Sequence, residues 1–94
     1  MYKIVISSKF KKTLRKFARS HPDLQNKIQD AIVTMENDIF STKLGTHKLS
    51  GRLSELLSCS CGYDCRIIFS LNVDKNTGQK VVLLLDIGSH DDVY

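Results

Sequence analysis

Lys80-Val81-Val82-Leu83-Leu84-Leu85-Asp86-Ile87 contains an unbroken apolar run from Val81 to Leu85. Apolar residues without alternation, in a segment this short, describe a strand covered on both faces or set deep within a sheet. The rest of the chain is therefore read as what surrounds that strand. Immediately before it, Asn72 to Gln79 holds the turn signal Asn76-Thr77-Gly78, and Cys65 to Val73 is a second strand. Cys61-Gly62-Tyr63-Asp64 joins that strand to a third, Leu53 to Cys59. Short connections between successive strands make them antiparallel neighbours.

Further outward, Ser41 to Ser54 has no periodicity and reads as a surface connection with Gly45, Gly51 and several bases. Before it, Leu24, Ile28, Ala31, Ile32, Met35 and Ile39 form one apolar stripe that begins beside Pro22. Phe10, Leu14, Phe17 and Ala18 form another, which Ser7 or Ser8 can cap and which runs to about Ser20. Tyr2 to Ser7 is β-branched and aromatic, a fourth strand. The order is β-α-α-β-β-β. We expect an α+β fold, with an N-terminal helical hairpin on one face of a mainly antiparallel four-stranded sheet. Phe10, Leu14, Phe17, Leu24, Ile28, Ile32 and Met35 should pack on Ile68, Val82 and Leu84.

The 94 residues fit a single domain, 1–94, with a small core and a surface groove in place of a deep cavity. Hydrophobic residues at 41% and charged residues at 26% exclude disorder and fibrous classes. Lysine plus arginine is 14 against 10 acids, a net charge of +4. Lys3, Lys9, Lys11, Lys12, Arg15, Lys16 and Arg19 stand in the first 20 residues without one acid, which points to polyanions or an acidic protein segment as partners. The chain lacks a signal-peptide pattern and an apolar run long enough to cross a membrane, so a cytoplasmic protein is expected. Cys59, Cys61 and Cys65 are an odd number in a short window, which suits reduced thiols. Structural zinc usually takes four ligands in paired motifs, so this cluster is not read as a metal site.

Two segments carry chemistry-bearing residues. His47-Lys48-Leu49-Ser50-Gly51-Arg52 gathers cations in an irregular stretch, and Gly88-Ser89-His90-Asp91-Asp92-Val93-Tyr94 sets a histidine just beyond the most apolar strand. A surface histidine is ordinarily unremarkable, but both segments flank strands that can be neighbours, and Arg66 starts another. RNA cleavage without a metal needs a base of near-neutral pKa, an acid for the leaving oxygen and cations for charge developing on phosphorus. His47, His90, Lys48, Arg52 and Arg66 could supply them.

His47-x-Leu49-x-Gly51, Tyr63-Asp64-Cys65-Arg66-Ile67-Ile68-Phe69 and Leu85-Asp86-Ile87-Gly88-Ser89-His90-Asp91-Asp92-Val93-Tyr94, following basic amphipathic helices, resemble the RelE/ParE toxin superfamily, and within it the YafQ-like messenger-RNA interferases. The resemblance spans essentially the whole chain. It implies a toxin of a type II toxin–antitoxin pair that stops translation by cutting messenger RNA, usually on the ribosome. It implies no metal or other cofactor, and an antitoxin, messenger RNA and the ribosome as partners. By motif, His47 and His90 would be acid–base or phosphate-contacting residues. Asp64 would help set a histidine's protonation, Tyr94 would contact or stack on a base, and Lys48, Arg52 and Arg66 would supply charge. The chain departs from the pattern where a second loop histidine is replaced around Ser60 and a basic residue by Asp86. A gyrase-poisoning toxin and a catalytically silent antitoxin-binding protein share this fold, but neither needs the acid–base set.

Overall fold

The computed structural model describes residues 2–49 and 56–93, without the side chain of Asp92. β1 (Lys3–Ile6) leads into α1 (Ser8–Ser20), and a 3₁₀ turn over Pro22–Leu24 passes the chain to α2 (Gln25–Asn37). Then come β2 (His47–Lys48), β3 (Leu57–Ser60), β4 (Arg66–Val73), β5 (Lys80–Gly88) and the short α3 (His90–Val93). The strands form one five-stranded sheet in the order β1-β5-β4-β3-β2. The expected helical hairpin and mainly antiparallel sheet are present. The sheet has one strand more than expected, because His47 and Lys48 pair antiparallel with Ser58 and Leu57. Two residues without alternation leave no periodic trace, so only the partner strand reveals them.

Local chemistry starts and stops the helices. Ser7 takes extended backbone and its Oγ accepts the Phe10 N–H at 3.0 Å, which satisfies one of the orphan donors at the start of α1. α1 ends at His21, whose N–H donates to Phe17 O at 2.9 Å, and Pro22 then opens the next turn. Gly78, at φ +73°, closes the β4–β5 hairpin with its N–H on Asp74 O.

β5 is flanked by β4 on one side and by β1, running parallel, on the other. That central place accounts for its unbroken apolar run. Phe10, Phe17, Leu24, Ile28 and Met35 are buried against Val82 and Leu84, with Leu14 and Ile32 partly buried at the margin. One expectation is corrected: Ile68 is buried but stands apart from this core, and Ile67 and Phe69 take its place. Alternation along β4 sends Ile68 to the other face, where it pairs with Ser58 and Asp86. A bulge between Ile68 and Phe69 shifts the β4–β5 register at that point.

The cysteines also differ from expectation. Cys61 and Cys65 form a disulfide, and Cys59 is a buried free thiol. The tight turn between β3 and β4 brings the two Cα atoms to 5.0 Å, inside the span a disulfide needs, which a count of cysteines does not reveal. Among the described residues no helix is long and apolar enough to cross a membrane.

Candidate active site

The β3–β4 turn is the best-defined part of the site. Cys61 N–H donates to Cys65 O at 2.9 Å and Cys65 N–H to Gly62 O at 3.2 Å, so the loop is closed by backbone as well as by sulfur. Within it Asp64 adopts φ +50°, a left-handed conformation that Asp tolerates better than most residues. From there its Oδ1 accepts the backbone N–H of His90 at 3.0 Å. Residues 26 positions apart are thus joined at the first residue of α3. The contact runs to the histidine's backbone, so Asp64 fixes where His90 stands.

Arg66 begins β4 two residues after Asp64 and sits opposite Gly88, two residues before His90. Its Nη1 donates to Cys65 O at 3.1 Å and towards Ser60 Oγ at 3.4 Å. Ser60, where the family pattern has a histidine, therefore steadies the guanidinium. It also donates from Oγ to Gly62 O at 3.3 Å. Asp64, Arg66 and His90 thus stand at the same end of the sheet.

His47 and Lys48 stand elsewhere. The register runs from His47 through Ser58 and Ile68 to Asp86, so His47 is three strand spacings from β5, about 14 Å along the sheet. The His47 ring is exposed, and its Nδ1 lies 3.1 Å from Gly45 O. A carbonyl only accepts, so in that bond Nδ1 carries the hydrogen, and in the neutral ring Nε2 holds the lone pair. That leaves Nε2 able to accept a proton. Arg52 and Tyr94 lie outside the described residues.

Asp86, the acid where the family pattern has a base, pairs through Oδ2 with Lys9 Nζ at 3.3 Å. Lys9 reaches it from α1 across a cleft also lined by Lys16 and His21. The helix thus offsets the Asp86 charge, through a contact between distant residues that the motif alone does not contain. Beneath the site, burial pushes the Cys59 thiol up to about 12, against a smaller lowering from Arg66. It stays a neutral thiol at physiological pH. Among the described residues no group of three or more His, Cys, Asp or Glu side chains is placed to hold a metal ion.

Residues 2–94 match the family model for the bacterial toxin of type II toxin–antitoxin systems, YafQ. The chain belongs to the YafQ toxin family. Solved structures share its fold. YafQ from E. coli BL21(DE3) has a TM-score of 0.78 at 17% identity, covering 100% of this chain and 99% of its own. The YoeB/ParE toxin from Agrobacterium tumefaciens has 0.75 at 15%, covering 94% and 98%. The matching chain of the E. coli DinJ–YafQ toxin–antitoxin complex has 0.73 at 16%, covering 99% and 97%. None of the curated proteins matches this YafQ-family chain.

Proposed function

We propose that this YafQ-family toxin is an endoribonuclease that cuts messenger RNA on the ribosome, in the cytoplasm, without a metal or other cofactor. The observation that supports the reading is the Asp64 contact with the His90 backbone together with Arg66 opposite Gly88, because both bring chemistry-bearing residues to one end of the sheet. His90 is the principal proton-transfer residue. Arg66 meets the charge that develops on the phosphate. Asp64 positions His90.

The spacing of His47 from β5 gives it a different part. Its Nε2 and the Lys48 ammonium act further along the strand of RNA, by a second proton transfer or by holding a neighbouring phosphate. Arg52 and Tyr94 complete the reading as a further cation and a base-stacking ring. The single domain is held inactive by a cognate antitoxin, as the DinJ–YafQ relative suggests.

Mapping of RNA 5′ ends after induced expression tests the activity, with purified toxin on programmed ribosomes as the direct assay. His90→Ala is expected to lower single-turnover cleavage by at least about 100-fold while the thermal unfolding profile is kept. Loss of less than about tenfold removes His90 from its role. Inhibition of gyrase supercoiling with intact messenger RNA would replace the reading by gyrase poisoning.

A further inference from the structure

We propose that the disulfide-closed turn 61–65 is a nucleotide subsite flanking the cleavage centre, in which the Tyr63 ring stacks on a base of single-stranded RNA and Lys27 meets its phosphate. The inference rests on the ribonuclease reading above and names where the strand is gripped beyond His47, His90 and Arg66.

Tyr63 is 91% exposed, more than any other exposed large hydrophobic residue of the described chain. The residues two positions away on either side are the opposite. Cys61 and Cys65 are buried and bonded to each other, and the turn is closed by two backbone hydrogen bonds. An aromatic ring with only two side-chain torsions, on a turn already fixed, loses little freedom when a partner stacks on it. The following residue, Asp64, holds His90. A base on Tyr63 is therefore one residue along the chain from the group that fixes the proton-transfer histidine.

Gly62 places the cation. Its φ is +130°, and a Cβ there would stand 3.0 Å from Leu24 Cδ2 and 3.2 Å from Lys27 Cδ. The turn thus lies against α2 with the Lys27 stem crossing Gly62, next to Tyr63. Lys27 and Lys43 line a shallow depression with Ser60 and Gly62, and Asp30 on the same wall leaves its charge positive. Ser60 Oγ is within 3.4 Å of Arg66 Nη1, so the cations follow one another from Arg66 past Ser60 to Lys27. An exposed aromatic face beside a row of cations is the pattern by which single strands are held without regard to sequence.

Single-turnover cleavage on programmed ribosomes, titrated with toxin, tests this with Tyr63→Ala, Tyr63→Phe and Lys27→Gln. Tyr63→Ala should raise the half-saturating concentration about tenfold, with the rate at saturation changed by less than about twofold. Tyr63→Phe should restore wild-type half-saturation, and Lys27→Gln should raise it by about threefold, with the difference shrinking as salt is added. Half-saturation unmoved by Tyr63→Ala overturns the proposal. So does a Tyr63→Ala defect confined to the saturated rate, or a Tyr63→Phe defect equal to that of alanine, which would assign the effect to the hydroxyl. Wild-type toxin that cuts no messenger RNA defeats the ribonuclease reading itself, and this subsite with it.

Discussion

Asp64 combines a left-handed backbone with a long-range hydrogen bond, and substitutions can separate the two. Asparagine keeps the acceptor and tolerates φ +50°, so Asp64→Asn should cleave RNA within a few-fold of wild type. Glycine relieves the backbone but leaves the His90 N–H without its partner. Asp64→Gly should lose about 1 kcal/mol of stability and a much larger part of the cleavage rate. Comparing the two by thermal unfolding and single-turnover cleavage decides what Asp64 does. Equal losses in both would mean that its charge acts on the imidazole. Cys59 gives a second test, in alkali. The folded chain keeps the thiol proton up to about pH 12, whereas an unfolded thiol releases it near 9.0. Between those values the unfolded state binds fewer protons, so stability falls as pH rises, by up to about 1.4 kcal/mol per unit. Urea titrations at pH 8 and pH 10.5 should show this fall in wild type and a shallower one in Cys59→Ala.

At the scale of elements, the long ones were legible and the short ones were not. Phe10, Phe17, Ile28 and Met35 recur at helical spacing because each must reach the same sheet, and the apolar run of β5 reflects neighbours on both sides. β2 and α3 span only His47–Lys48 and His90–Val93, too few residues for a period, and they exist through their contacts with β3 and Asp64. The disulfide escaped for a related reason, since spacing does not say whether a turn closes tightly. Joining residues 61 and 65 removes about 2 kcal/mol of chain entropy from the unfolded state. The double variant Cys61→Ser/Cys65→Ser should unfold at a correspondingly lower denaturant concentration and cleave more slowly, because Asp64 rides on the same turn. A reducing agent should shift the wild type towards the variant and leave the variant unmoved.

For the whole molecule, the sequence located the candidate site only in part. Asp64, Arg66 and His90 lie in two stretches that the β4–β5 pairing brings together, whereas the distance of His47 from them follows from the order of five strands. Charge is also a property of the whole. Lys9 is engaged with Asp86, while Lys11, Lys12 and Lys16 leave a basic face on α1 open to an acidic antitoxin segment. Reversing these three charges should slow association with the antitoxin about tenfold in dilute buffer, and the difference should vanish at about 1 M salt. Stopped-flow mixing over a salt series measures it, and rates that coincide throughout would remove the steering. The pairing of β1 with β5 has a consequence in time. Lys3 lies beside Val81, so β1 finds its partner only after everything between them has been synthesised. Closing so long a loop costs about 4 kcal/mol of entropy, which no local contact offsets. Until then the helices have no complete sheet to cover them. Pulse-labelled hydrogen exchange during refolding should find β1 and β5 becoming protected together, in one late step.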